Sequence, residues 1–243
     1  MWKLAIFDFD NTVVNLNVYS LIDDLLSEKV PDNLSEIEKA FGWIARMNAL
    51  FESNCLNEQK VRNVLDKILI DDKMITFMKD LFENGYEIII ISDSNTYFIN
   101  YILEANRIRE YVREIYANVG CFTEAGFFKL IGLNEVMHGN KFQFDCQIGL
   151  NRCAPNVCKR LVLQYHTEKH STNQKNKHFI YVGDGLNDFC PALILNKTDV
   201  FCVRKGYALE KVFIKNENFI TDKINSNVVF WNDGDDLARL VKN

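Results

Sequence analysis

Three short apolar runs, each ending in a loop of acids or hydroxyls, constrain this chain more than any other feature. Leu4-Ala5-Ile6-Phe7 leads into Asp8, Glu87-Ile88-Ile89-Ile90-Ile91 into Ser92, and Phe179-Ile180-Tyr181-Val182 into Gly183. Runs apolar on both faces need cover on both faces, which is the condition of a parallel sheet between helical layers. Residues 199–203 and 227–231 suggest a fourth and a fifth strand. Helical periodicity fills the gaps. In residues 71–84, Met74, Phe77, Met78, Leu81 and Phe82 follow i, i+3, i+4, i+7 spacing and stop at Gly85, a natural C-terminal cap. Residues 188–195, 207–215 and 233–241 read alike. Strand alternating with helix predicts an α/β fold, a doubly wound and mostly parallel sheet.

One interval breaks the alternation. A βαβ crossover needs a single helix, yet residues 14–70 carry three more helical patterns. Val18, Leu21, Ile22, Leu25 and Leu26 form a stripe; Ser35-Glu36-Ile37-Glu38 reads as a capping box opening a helix through Phe41, Ile44, Met47 and Leu50; Asn57 can cap a third through Val64, Leu65 and Ile68. The expected organisation is a catalytic core of residues 1–13 and 71–243 with residues 14–70 as an inserted all-helical cap. Alternation over residues 114–131 around Thr123-Glu124-Ala125-Gly126 predicts a β-hairpin attached to the sheet, and residues 167–177 predict a polar exposed loop.

Eleven glycines and three prolines in 243 residues, with 48% hydrophobic and 25% charged, exclude collagen-like and disordered chains. The net charge is -5 with Lys and Arg scattered, so no nucleic-acid partner is expected. No apolar run approaches the roughly 20 residues of a membrane span. An odd count of seven cysteines and an N-terminus without a signal-peptide pattern point to a reducing, cytoplasmic setting. Oligomeric state is not legible.

The chemistry lies at the strand ends, where open α/β sheets bind ligands. Asp8 and Asp10 stand two apart, so both face one side of the crevice. Gly183-Asp184-Gly185-Leu186-Asn187-Asp188 adds two acids at another strand end. Four acids at one edge repel each other without a cation, and a hard oxygen-seeking ion such as Mg²⁺ suits them. The Gly183-x-Gly185 pair is no dinucleotide fingerprint, because Asp188 puts an anion where a pyrophosphate would sit. Ser92-Asp93-Ser94-Asn95-Thr96 offers hydroxyl and backbone N–H donors at a helix N-terminus, a recipe for phosphate. Lys159 could bring the positive charge that a transferring phosphoryl group needs.

In this order, DFDNT, a strand ending in SDSNT, a lysine and GDGLND resemble the four motifs of the haloacid dehalogenase superfamily of phosphatases over the whole chain, and the helical insert resembles its C1 cap. Residues 151–159, 183–191 and 204–207 are similar to the PHOSPHO branch, whose members act on phosphoethanolamine and phosphocholine or, in a second subgroup, on pyridoxal 5'-phosphate. The Asn of DFDNT and the SDSN wording favour the second. The resemblance implies a Mg²⁺-dependent phosphomonoesterase for a small phosphorylated metabolite. Asp8 would be the nucleophile that becomes an aspartyl-phosphate and Asp10 the general acid and base. Mg²⁺ would be held by Asp8, Asp10 through its carbonyl, and Asp184, with Asp188 in the outer shell; Ser92 and Lys159 would bind the phosphoryl group. Poor alkoxide leaving groups need the second acid, which disfavours halide release. Where the amine-selective branch has an acid, this chain has Tyr19, leaving Asp93 as the carboxylate facing the substrate. Phosphoethanolamine, phosphocholine and thiamine monophosphate remain alternative substrates, and a phosphomutase or a non-catalytic phosphate-binding regulator remain alternative classes.

Some features have blander readings. Cys146, Cys153 and Cys158, with His138, fit loosely to structural zinc spacing but read better as unliganded thiols. His166 and His170 read as surface residues for want of an acid on their face. Arg204-Lys205-Gly206 could touch the substrate or the acidic loop.

Overall fold

Register explains why the three loops meet. In the computed structural model, which describes residues 1–138, 157–170, 176–215 and 223–241, strand β1 (Trp2–Phe7) lies parallel between β2 (Glu87–Asn95) and β5 (Lys177–Gly183). Phe7 is level with Ile90 on one side and Val182 on the other, and Asp8 N donates to Val182 O at 2.9 Å. All three apolar runs therefore end at one edge. The sheet has seven strands in the order β4-β3-β2-β1-β5-β6-β7, adding β3 (Val112–Phe122), β4 (Phe128–Ile131), β6 (Val200–Arg204) and β7 (Asn227–Trp231). Only β4 is antiparallel, paired to β3 as the predicted hairpin. Strand order reverses at β1, so the crevice between β1 and β5 is the switch point where such sheets bind ligands.

Side-chain alternation splits the core in two. Ala5, Phe7, Ile88, Ile90, Ile180 and Val182 face one layer, and Leu4, Ile6, Ile89, Ile91, Phe179 and Tyr181 face the other. The first layer holds α1 (Val18–Leu26), α2 (Leu34–Ser53), α3 (Glu58–Leu65), α4 (Asp72–Glu83) and α5 (Thr96–Ala105). On the second face lie α6 (Leu133–His138), α7 (Lys159–Lys169), α8 (Phe189–Ala192) and α9 (Ala208–Lys215), while α10 (Gly234–Val241) returns to the first. Each fully buried Val, Leu, Ile or Phe contributes about 1.5–3 kcal/mol, so the central strands dominate the hydrophobic stabilisation.

Helices α1 to α3 stand between β1 and α4 in the chain, and α2 and the α3 approach grip the sheet edge. Asn48 accepts from Leu130 N at 2.7 Å and donates to Leu130 O at 2.9 Å. Phe128 N donates to Leu56 O at 2.7 Å, and Phe51 packs edge-on against Phe128 at 5.4 Å.

Three expectations change in detail. Ser35 is no cap: α2 already begins at Leu34, after Asn33. The α2 backbone breaks at Gly42 (φ 83°, ψ −179°), which resets the helical phase, so Phe41 leaves the stripe of Met47 and Leu50 and is 77% exposed. The SDSN stretch is strand rather than helix start. β2 continues to Asn95 through a register shift against β3, and it is Asn95 that caps α5 by accepting from Phe98 N at 2.9 Å. Asn57 caps α3 as expected, accepting from Lys60 N at 3.0 Å.

The α10–α4 contact depends on the absence of a side chain. A Cβ on Gly234 would lie 2.2 Å from the Lys73 carbonyl oxygen, so two helix starts touch backbone to backbone. Gly234→Ala is expected to destabilise the protein by about 1–3 kcal/mol through overpacking, read as a lower denaturation midpoint with an unchanged slope in urea.

Candidate active site

The loop after β1 is a tight turn with fixed contacts. Phe9–Val13 forms a single wide helical turn, closed by Val14 N donating to Phe9 O at 3.1 Å. Asn11 sits at φ 53°, a left-handed conformation that Asn tolerates better than most residues. Arg204 clamps this loop, donating to Asn11 O and to Asn15 Oδ1. Its guanidinium lies 4.7 Å from the Tyr207 ring and 5.0 Å from that of Trp231. Of the two roles open to Arg204-Lys205-Gly206, contact with the acidic loop is the one observed for Arg204.

Lys159 sits in the middle of the acids. It is fully buried at the first turn of α7, with Nζ 2.9 Å from Asp8 Oδ1 and 2.8 Å from Asp188 Oδ1. Asp188 is saturated with donors. Oδ1 also accepts from the Tyr181 hydroxyl at 2.8 Å, and Oδ2 from Asp184 N at 3.1 Å and Gly185 N at 2.9 Å. A Cβ on Gly183 would lie 2.4 Å from the Asp188 carboxyl carbon, so glycine there is what lets the carboxylate fold back onto its own loop. Asp8 further accepts from Phe9 N at 2.7 Å, and Thr12 Oγ1 donates to Asp184 Oδ1 at 3.4 Å.

Electrostatics here favour added positive charge. Burial pushes Asp8 well above the usual carboxylate range, Lys159 opposing and Asp188 and Asp184 adding to the rise. Asp184 is pushed up to about 7 by burial and then by Asp188; Asp10 reaches about 7 mainly by burial, although Val18 N donates to its Oδ1 at 3.3 Å. Burial works against the charge on Lys159, but Asp188 and Asp8 in contact outweigh it and keep its pKa above the ordinary value. Donor oxygens of Asp8, Asp184 and Asp188 all lie within 4.8 Å of one another. Crowded, buried and oxygen-only, this set fits a hard divalent cation.

The remaining predicted residues flank this centre. Ser92 is buried at the β2 end, where its Oγ accepts from Ser94 N at 3.1 Å. Asp93 Oδ2 accepts from Asn187 Nδ2 at 2.8 Å, while Oδ1 is buried without a hydrogen bond. Tyr19 is half-buried, its ring 5.2 Å from Trp43 and 5.6 Å from Phe98, its hydroxyl accepting from Asn95 Nδ2 at 3.1 Å. Direct contacts thus unite Asp8, Lys159, Asp184 and Asp188; Asp10 lies in the turn after β1, Ser92 and Asp93 on β2, and Tyr19 on α1. Sequence reasoning overlooked Tyr181, Thr12 and Asn118, whose Nδ2 donates to Asp93 O at 2.7 Å. Thr12 closes the DFDNT motif, whereas Tyr181 and Asn118 belong to no motif-like cluster that would have signalled them. Cys146, Cys153 and the His138 side chain lie outside the described residues; Cys158 is buried just before Lys159.

Comparison with known proteins places this geometry. The profile of the Put_Phosphatase family, described as Putative Phosphatase, matches residues 3–243. The chain belongs to that family. The pyridoxal phosphate phosphatase PHOSPHO2 of Bos taurus is 29% identical over 238 residues, covering 95% of this chain and 93% of that protein. Inorganic pyrophosphatase 2 of Arabidopsis thaliana is 27% identical over 241 residues, covering 98% and 82%. Among solved structures, an apo phosphoserine phosphatase superposes with a TM-score of 0.59 at 17% identity, covering 100% and 98%. The family member described here is a haloacid dehalogenase-type phosphatase of the PHOSPHO2-like group, a hydrolase of phosphoric monoesters. No helix among the described residues is long and apolar enough to cross a membrane.

The raised carboxyls set a pH response for this family member. With Asp10 and Asp184 at about 7 in the fold against an ordinary 3.8, protonation favours the folded state. That contribution is complete below about 4 and is lost as pH rises through about 7. Metal-free protein should therefore melt several degrees lower at pH 7.5 than at pH 5.5. Excess Mg²⁺ should shrink the gap, as measured by thermal denaturation in chelator and in Mg²⁺.

Proposed function

We propose that this chain is a Mg²⁺-dependent phosphomonoesterase that hydrolyses pyridoxal 5'-phosphate through an aspartyl-phosphate on Asp8. The observation that carries the reading is the buried Lys159 bridging Asp8 and Asp188 at 2.9 and 2.8 Å. It turns one Asp8 oxygen away from attack and leaves the carboxylate oriented. Asp8, Asp184 and the Asp10 carbonyl would hold Mg²⁺, with Asp188 supporting them from behind. When bound, the ion neutralises the carboxylates and the phosphate dianion so that the two can approach.

Asp8 attacks phosphorus in line, forming the O–P bond as the ester O–P bond breaks. Asp10 donates its proton to the departing alkoxide; a pKa near 7 keeps both its forms populated at neutral pH, which suits a group that must first give and then take a proton. Asp10 then removes a proton from the water that attacks the acyl phosphate, regenerating Asp8 and releasing phosphate. Ser92 and Lys159 carry hydroxyl and ammonium donors for the phosphoryl oxygens.

Selectivity is assigned to residues 14–70, acting as a cap over the core of residues 1–13 and 71–243. Tyr19, backed by Trp43 and Phe98, supplies an aromatic surface for a pyridine ring and only a weak, about 0.5–2 kcal/mol, cation–π hold on an ammonium. Asp93, with Oδ1 unpaired, adds an acceptor. A cytoplasmic location fits such a metabolite enzyme.

Asp8→Asn should lower phosphate release by at least about 10³-fold while the protein keeps its melting temperature and its circular dichroism, because an amide cannot form the acyl phosphate. Retained turnover would reject the mechanism. Asp10→Asn should cost about 10²–10⁴-fold. In a Mg²⁺ release assay over pyridoxal 5'-phosphate, phosphoethanolamine, phosphocholine, thiamine monophosphate and pyrophosphate, the first should be preferred. Tyr19→Asp should shift the ratio toward phosphoethanolamine; an unchanged ratio would remove Tyr19 from selectivity.

A further inference from the structure

The phosphatase reaction leaves a second cluster of ligand-type side chains unused. His166 and His170 lie one turn apart at the C-terminal end of α7, and Glu114 on β3 faces them, so the acid missing from their own helix comes from the sheet. His166 is fully buried rather than on the surface, and the side chain of His170 is 19% exposed. Each of the three offers a donor atom, all within 4.8 Å of one another.

Two details separate this cluster from an ordinary hydrogen-bonded group. His170 Nε2 lies 2.8 Å from Glu114 Oε1, an ion-pair distance, without the alignment of a hydrogen bond. His166 Nε2 is also buried without a partner, while its Nδ1 is 3.0 Å from the Tyr116 hydroxyl, which donates on to Glu114 Oε2. That chain places the His166 proton on Nδ1 and leaves a lone pair on Nε2, the outer-sphere arrangement usual for metal-bound histidine. The two imidazole rings are 4.6 Å apart.

We propose that Glu114, His166 and His170 form a second metal site, selective for a borderline transition ion such as Zn²⁺ and separate from the all-oxygen site at Asp8 and Asp184. Two imidazoles and one carboxylate are a zinc donor set with a fourth position open to water. Tetrahedral donors stand about 3.4 Å apart at bonds near 2.0–2.1 Å, so spacings of up to 4.8 Å must close by up to about 1.4 Å, and the 2.8 Å pair of Glu114 and His170 must open, through side-chain rotation. Two cations border the cluster. Lys169 Nζ lies 3.4 Å from Glu114 Oε2, leaving Oε1 for the ion, and Arg113 is 3.4 Å from His170 Nδ1 while pairing with Glu87 at 2.6 Å. An ion here would tie β3 to the helix whose first residue is Lys159.

The test uses tag-free, full-length protein stripped of metal and then saturated with Mg²⁺, titrated with Zn²⁺ by calorimetry, with ligand type read by X-ray absorption. One zinc per chain with nitrogen and oxygen ligands is expected. Affinity should fall at least 10-fold in His170→Ala and in Glu114→Gln, both partly exposed and so expected to fold. Zinc should raise the melting temperature of wild-type protein and not of His170→Ala, and Mg²⁺-supported phosphatase activity should match wild type in both variants. Absence of zinc uptake, sulfur ligation, or uptake that survives both substitutions would overturn the proposal.

Discussion

A buried ammonium between two buried carboxylates is the contact on which the rest of this molecule depends. The Lys159 side chain has no exposed surface and two carboxylate partners, so removing both would strand a charge in the interior, a defect that costs several kcal/mol. Its position dictates much else. α7 must start at that depth, Asp188 must turn back onto its own loop, and β1 and β5 must end level. The apolar strands supply the stability against which this arrangement is held.

Much of the architecture was legible because strands buried on both faces leave an unambiguous record. Ile88 to Ile91 cannot sit at a surface, and the acids that follow such runs must crowd at one edge. The buried state of Lys159 was less legible. A lysine near a helix start looks solvated until the partners 151 and 29 residues away in sequence are known to converge on it. Likewise, His166 and His170 show a helical spacing, but Glu114 meets them only through the packing of α7 on β3. Periodicity sees one element at a time and is blind to what faces it.

Two local errors lie in one helix. Ser35 matches a capping pattern, but helix α2 already starts at Leu34; Phe41 matches an apolar stripe, but the helix breaks at Gly42. A stripe presumes an unbroken helix, so one glycine is enough to invalidate it. The SDSN stretch illustrates a different limit: its polarity suggests a loop, whereas pairing with β3 holds it as bulged strand. Polar residues at a sheet end can still be sheet when a neighbour supplies the ladder.

The contacts of Asn48 and Leu56 with β4 carry a consequence for how such an enzyme can change. β4 is the last strand of the sheet, and an open strand edge invites pairing with a second chain. By taking both backbone groups of Leu130, Asn48 behaves like a fragment of an eighth strand, and the Leu56 carbonyl accepts the backbone N–H of Phe128. Asn48 of α2 and Leu56 at the approach to α3 therefore cover that edge against aggregation. Trimming the inserted helices away would not yield a smaller enzyme but a core with an unprotected flank.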